Sequence, residues 1–427
     1  MKLSSFLRLS SKTTNPQANP SVVYNLYSLP SFDDGRKCEV VHGSEIQSNK
    51  FIVPDKCILF NKLNVRFKRI WRIDNTEPNK IASTEFLPLV VDESIVDFHY
   101  CYYLLRSDRI TDYLTGQNTN TSGSHKRIDP DNFFDIEVSL PPLEDQKRIG
   151  EVLSNLDMKI DINTSLNHYL EAMAKRLYDY WFVQFDFPDE NGRPYKNSGG
   201  KMVWNDKLKR EIPEGWELTP LFKGVDVQYG FPFSTDLFTE IPTDIPIVRI
   251  RDIMDGSTSA FYCGDVDDKY RLNKGDIVIG MDGNFHMNYW HSDMDYLNQR
   301  CVRLRPRSDS QISALQSLFE TTPYIKAKEK NAKGSTVGHL SDKDLKDMWL
   351  IKPMSNAHFN PRVTFDSLLN KMIQHKEELL QLTKCRNELL PLLMNGQVSV
   401  KQLNNDLVSH ISLLYMFFAH KMLYLYS

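Results

Sequence analysis

The side chains of this 427-residue sequence best suited to a chemical task are cations set among aromatic and amide groups. Between Asn61 and Arg72 a short stretch gathers Lys62, Arg66, Lys68, Arg69 and Arg72, with Phe67 and Trp71 between them. A later stretch holds Asn284, His286 and Asn288, followed by Arg300. Arg303, Arg305 and Arg307 then alternate, as do Arg249 and Arg251, and alternate residues of a strand share one face. Arginine and asparagine can each make a two-pronged contact with a purine edge in the major groove, worth ~1–3 kcal/mol of discrimination. Lysines suit phosphates, which set register without reading sequence. Two Gly-Ser loops, with Ser124, His125, Lys126 and Arg127 in one and Lys333, Ser335 and Thr336 in the other, could bring backbone N–H groups to a phosphate. Taken singly, each cluster is more simply a solvated surface. Their recurrence at matching places in the chain favours DNA.

Signals for catalysis are weaker. The sequence has no GxxxxGK[ST] loop for ATP, no GxGxxG, no HExxH and no GxSxG, and no Asn/Asp-Pro-Pro-Tyr/Phe motif of amino-methyltransferases. Asp157-Met-Lys159 and Asp344-Leu-Lys346 imitate the acidic-x-Lys end of a nuclease site, but both fall in helical patterns where such triplets arise by chance. The six cysteines are scattered without a CxxC pair, which excludes zinc fingers and thioredoxin chemistry and fits reduced thiols in a cytoplasm. Formal net charge is -3, so DNA binding must come from local patches. The apolar run from Ile411 to Leu425 is shorter than the ~20 residues that span a bilayer, and no membrane role is expected.

What must position the cations is a repeat. Lys50, Phe51, Val53 and Ile58 lie over Lys269, Tyr270, Leu272 and Ile277 at an offset of 219. Leu3, Leu7 and Leu9 lie over Leu221, Val225 and Val227 at 218, and Asp129–Pro141 over Ser341–Pro353 at 212. Blocks aligned with slowly drifting offsets point to two copies of one mixed α/β plan.

After each copy the apolar spacing changes to alternating steps of three and four. Ile149, Leu153, Leu156, Ile160, Asn163, Asn167, Leu170 and Leu177 mark one long helix, and Leu368, Met372, His375, Leu379, Leu382, Arg386 and Leu389 a second. Helices of similar length after each copy can pair antiparallel, with Asn163 and Asn167 set against His375 and Arg386 to fix register. At 1.5 Å per residue the first helix is ~57 Å long, enough to separate two DNA half-sites by about a turn of ~34 Å. The fold class is therefore α+β: two repeated mixed α/β domains separated by a pair of long antiparallel coiled-coil helices. The expected boundaries are 1–143 (first domain), 144–187 (central helix), 188–211 (linker), 212–355 (second domain), 361–395 (distal helix) and 396–427 (a tail without assigned role).

Leu140-Pro-Pro-Leu-Glu-Asp-Gln-Lys-Arg-Ile149, followed by Leu156, Asp157 and Ile160, resembles the central conserved region of the specificity (S) subunit of type I restriction–modification systems. So do Leu170–Leu177 running into Trp181, the Glu211-Ile-Pro-Glu-Gly-Trp-Glu-Leu218 entry to a second target-recognition domain, and the Leu389–Gln397 helix end. The likeness runs from about residue 3 to 403. One departure is that the first copy lacks the Pro-x-Gly-Trp lead-in of the second. The resemblance implies a non-catalytic subunit that reads a bipartite, asymmetric double-stranded DNA target. It also implies two methyltransferase (M) subunits and restriction/translocase (R) subunits as partners, with S-adenosylmethionine, ATP and magnesium held by those partners and not by this chain. A stand-alone nuclease and a coiled-coil scaffold that never touches DNA are the competing expectations.

Overall fold

Ile58 and Phe60, paired with Arg72 and Ile70 on the neighbouring strand, begin the central sheet of the first copy. A computed structural model describes residues 1–116, 127–331, 338–354 and 359–397. The sheet comprises β1 (Leu7–Leu9), β2 (Lys56–Asn61), β3 (Ile70–Asp74) and β4 (Phe86–Val91), all antiparallel and ordered β1, β4, β2, β3. The second copy repeats the order with β5 (Val225–Tyr229), β6 (Ile277–Gly280), β7 (Met287–Tyr289) and β8 (Cys301–Pro306), arranged β5, β8, β6, β7.

The registers agree residue by residue with the offsets in the sequence. Leu9 and Ile58 both face Leu89, and their counterparts Val227 and Ile277 both face Leu304. Leu3 donates its N–H to the Ile136 carbonyl and Leu221 donates to Met348, each at 3.0 Å. Asp129 caps the short helix Pro130–Phe134, and Ser341 caps Asp342–Lys346 at the corresponding place. In the first copy α1 (Phe98–Arg106) and α2 (Asp108–Gly116) are split at Ser107; in the second a single helix, α4 (Ala314–Asn331), runs through Pro323. These elements flank a long helix after each copy: α3 (Leu143–Tyr178), 36 residues ending in a π turn at Asp179–Val183, and α5 (Pro361–Met394), 34 residues.

Compactness divides the chain differently from the expected boundaries. One unit is Met1–Ile160 together with the chain from Gln381, and the other is Asp161–Leu380. Neither long helix is a body of its own, because each contributes one stretch to each apolar core. In the first unit Ile149, Leu153, Leu156, Leu382 and Leu389 are buried together, with Ile160 packed on them. Ile149 and Leu393 line one cavity there while Asp157 meets Arg386 at 2.9 Å, so the helices run in opposite directions. In the second unit Leu368 and Met372 are buried with Leu170 and Leu177 against them, and Leu379 is half-buried. His375 Nδ1 lies 2.8 Å from Asn163 Oδ1 while Trp181 meets Phe365, again an antiparallel pairing. Asn167 is buried, and its Oδ1 has no hydrogen-bond partner among the described residues. Arg386 therefore partners Asp157, where the sequence pattern paired it with an asparagine.

Residues 188–211, expected to be a linker, are folded. Met202–Asn205 and Arg210–Pro213 form an antiparallel hairpin, and Phe187 stacks on Tyr195, Trp216 and Phe359 at 4.6–4.8 Å. The aromatic stack ties the segment to the second unit, which a reading of turn residues could not reveal. No helix among the described residues is long and apolar enough to cross a membrane.

Candidate nucleic-acid interface

In the first unit the candidate site is the rim where β2 ends. Asn61 is buried and its Oδ1 accepts the Leu63 N–H at 2.8 Å, turning the chain out of the strand. Asn64 and Lys68 follow at φ +53° and +46°, the left-handed region that costs most residues energy. They bracket the 3₁₀ turn Val65–Phe67, in which buried Val65 anchors the loop and Arg66 and Phe67 are pushed into solvent. Lys62 is clamped through its backbone, its N–H donating to the Glu85 carbonyl and its carbonyl accepting from Ile128. Beside it Leu63 bridges to Arg127, whose guanidinium grips Glu85 in a two-pronged pair at 2.7 and 2.9 Å. Hydrogen bonding to Arg127 holds the Glu85 carboxyl below the usual carboxylate range.

The second unit rebuilds this rim on the same backbone pattern. Met281 donates to the Arg300 carbonyl and accepts from Leu340, as Lys62 does with Glu85 and Ile128. Asp282 bridges to His339 as Leu63 bridges to Arg127. The side chains differ. The Asp282 carboxylate receives Arg300 at 2.9 Å and faces His339 Nδ1 at 2.6 Å. Asn284 is exposed, His286 half-buried, and Phe285 wholly buried. Each rim thus offers a partly exposed ion pair, held at its base and open to solvent on its outer side. That arrangement suits exchange of the partner carboxylate for a base edge or a phosphate.

Several cations singled out in the sequence are turned to structural work. Arg303 is 4% exposed; it pairs diagonally with Asp226 on β5, which the register sets opposite Arg305, and donates to the Lys269 carbonyl. Burial and the neighbouring Arg305 lower its guanidinium's affinity for the proton. Arg305 grips Asp276 with two bonds of 2.7 Å, and Arg249 grips Asp252 at 2.8 and 3.1 Å, locking its own turn. Arg72 bonds Ser154 at 2.9 Å and lies over the Tyr102 ring, joining β3 to α3 and α1. The Asn288 amide is spent on the Ile253 carbonyl and the Tyr289 N–H. These five are corrections to the sequence reading: residue type and alternation could not say that Arg303, Arg305 and Arg249 are held by Asp226, Asp276 and Asp252, or that Arg72 and Asn288 are held by Ser154 and the Ile253 carbonyl. Lys68 pairs with Asp108, and Arg69 with Asp33 through two bonds of 2.7 Å, so both brace the first rim. Arg251 is exposed. Ser124, His125, Lys126, Lys333, Ser335 and Thr336 lie outside the described residues.

Glu85, Asp282 and His339 were missed. Extending the offsets of 219 and 212 would have aligned Leu63 with Asp282 and Arg127 with His339, and so shown the two bridges as one feature. The nuclease-like triplets are structural: Asp157 binds Tyr103 and Arg386, and Asp344 closes a capping box with Ser341 and pairs with Lys328.

The type I restriction modification DNA specificity domain matches residues 2–172 and 213–358, one match for each copy. The MjaIX specificity subunit of a type I restriction enzyme from Methanocaldococcus jannaschii is 24% identical over 345 residues, spanning 76% of this chain and 74% of that one. The HindI specificity subunit of a type I restriction enzyme from Haemophilus influenzae is 22% identical over 417 residues, spanning 84% of this chain and 91% of the relative. Among solved structures, the S subunit of a type I restriction–modification system from M. genitalium superimposes with a TM-score of 0.55 at 16% identity, covering 92% of this chain and 95% of that one. At that identity the likeness supports the fold.

Proposed function

The chain belongs to the type I restriction–modification DNA specificity family, and from that membership we propose that it reads a bipartite, asymmetric DNA target and directs the methyltransferase and restriction subunits to it. The observation that carries the reading is the pair of rims: one backbone frame, built twice, presenting Arg127 and Glu85 in one unit and Arg300, Asp282 and His339 in the other. Two equal frames with unlike side chains suit two unlike half-sites. The five arginine and asparagine side chains tied up inside the units leave Lys62, Arg66 and Arg127, and Asn284, His286 and Arg300, as the groups best placed to meet DNA.

Partner docking has support on α3. Ile162, Leu166, Tyr169 and Met173, with Tyr180 in the π turn that follows, are exposed although they recur at helical spacing, on the flank beside the stripe buried in the second unit. An apolar stripe on an amphipathic helix suits another helix laid along it, as a methyltransferase subunit would supply. S-adenosylmethionine, ATP and magnesium belong, in this reading, to the partner subunits.

Mapping methylated adenines genome-wide with and without the gene tests the reading, and a split sequence with an ignored spacer is expected. Arg127→Ala should then weaken methylation dependent on one half and Arg300→Ala on the other, each about tenfold for the loss of one two-pronged contact. An ungapped site, or equal relaxation of both halves by either variant, contradicts the proposal. Cleavage of DNA by the chain alone with magnesium, lost on Asp157→Ala, would restore the nuclease alternative.

A further inference from the structure

The first rim carries a feature that the second does not. Phe67 is 52% exposed at the tip of its 3₁₀ turn, and the guanidinium carbons of Arg66 and Arg69 both lie 4.8 Å from its ring centroid. The loop is made to present it. Val65 is buried beneath, the left-handed residues Asn64 and Lys68 fix both ends, and Arg69 is immobilised on Asp33. Arg66 has no carboxylate partner among the described residues, so its guanidinium is free to leave the ring for a phosphate. In the second unit the offset of 219 sets half-buried His286 at the place of Phe67, and the phenyl ring beside it, Phe285, is wholly buried.

Resting on the DNA-reading function above, we propose that Phe67 stacks as a wedge against a base step of the first half-site, with Arg66 moving onto the adjacent phosphate. An exposed phenyl on a cationic loop costs free energy in water. Proteins that insert apolar wedges into DNA flank them with groups that hold the backbone, and the wedge unstacks the step it enters. Arg69, already neutralised by Asp33, stays as the backing of the ring. The half-site read by the first unit is therefore distorted on binding, and the other is read without a wedge of this kind.

The test uses the full chain assembled with its methyltransferase subunits and a duplex carrying the mapped target. 2-Aminopurine is placed in turn at each adenine of either half. Apart from any adenine that the methyltransferase flips out for methylation, wild type should raise fluorescence at one position in one half, reporting lost stacking. Phe67→Ala should abolish the rise and weaken binding about tenfold, the scale of one base–aromatic contact, while leaving the salt dependence of binding unchanged because no phosphate contact is lost. Phe67→Trp should keep both properties. Because the ring is exposed, the alanine variant should melt as wild type does. Wild-type specific binding with no fluorescence change, or unaltered affinity in Phe67→Ala, overturns the wedge and leaves the function standing. Failure of wild type to bind the mapped duplex specifically would overturn the functional reading and the wedge together.

Discussion

At the first rim a carboxylate in the turn before β4, Glu85, holds an arginine from across the bridge, Arg127. At the second the polarity is reversed: Arg300 stands where Glu85 stands, and Asp282, in the place of Leu63, holds it. The backbone hydrogen bonds around both are the same, from Lys62 and Met281 to the facing strand and to Ile128 and Leu340. Recognition chemistry can change while the frame persists because the frame is held by main-chain groups and buried apolar residues, and the rim side chains contribute little to it. The interiors behave otherwise. The second unit joins Asp276 to Arg305 one residue beyond the Ile277–Leu304 pair, and the same step beyond the Ile58–Leu89 pair of the first reaches buried Cys57 and half-buried Val90. One copy of the plan is closed with an ion pair and the other with apolar atoms.

That contrast yields the largest expected effect. Arg305→Ala strands the Asp276 carboxylate, whose side chain is 2% exposed, and removal of one partner of a buried pair costs about 3–5 kcal/mol. Replacing both, Arg305→Val with Asp276→Cys, imports the first copy's solution and should recover most of the loss, since well-packed apolar substitutes for a buried pair are often neutral. Urea unfolding followed by hydrogen exchange in the second unit measures both. A double variant as unstable as the single would mean that the pair does more than fill its site. DNA binding should fall with the single substitution only as far as the unit unfolds, which distinguishes a structural arginine from one that reads bases.

A smaller effect concerns pH. Glu320 on α4 accepts from Gln316 at 2.9 Å and from the Ile351 N–H at 2.8 Å, and burial pushes its carboxyl up to about 8. The corresponding residue of the first copy is buried Leu104. A carboxyl whose folded pKa lies above its unfolded value takes up a proton on folding. Its contribution is therefore complete below the unfolded value near 4.5 and is lost as pH rises through about 8. The second unit should melt at lower temperature at about pH 9 than at about pH 6, and Glu320→Gln should flatten the difference. The first unit, with leucine there, should not share the trend. A steeper loss in the first unit would assign the effect to other groups.

Much of this architecture was legible in the residues. The offsets of 218, 219 and 212 matched the strand registers and the Leu3 and Leu221 hydrogen bonds because paired strands in a sheet tolerate no slippage: one residue of slip reverses every side chain. The long helices were legible because their seam recurs at three and four. The fate of the arginines was not. Arg303 and Arg305 are tied to Asp226 and Asp276, 77 and 29 residues away, and alternation gives the same pattern whether a face meets solvent or carboxylates. The rims were half legible: their cations were visible, but Glu85, Asp282 and His339 join them only through bridges between distant segments.

The smallest effect tests the frame itself. Asp97 Oδ1 accepts the Tyr100 N–H at 2.9 Å at the start of α1, and Ser313 Oγ accepts the Gln316 N–H at 3.1 Å at the start of α4, the same position in the two copies. Removing either cap as Asp97→Ala or Ser313→Ala should cost about 1 kcal/mol in its own unit by urea unfolding, with rim chemistry unchanged. Exchange of the two caps should not be symmetric. Asp97→Ser loses only the charge–dipole part, a few tenths of a kcal/mol. Ser313→Asp places a carboxylate at a position with no exposure, where desolvation outweighs the better cap. Equal costs for the two exchanges would mean that the copies are interchangeable here as well. Unequal costs in this order would show that each copy tuned even its shared frame to its own interior, the serine being the cap that a buried helix start can accept.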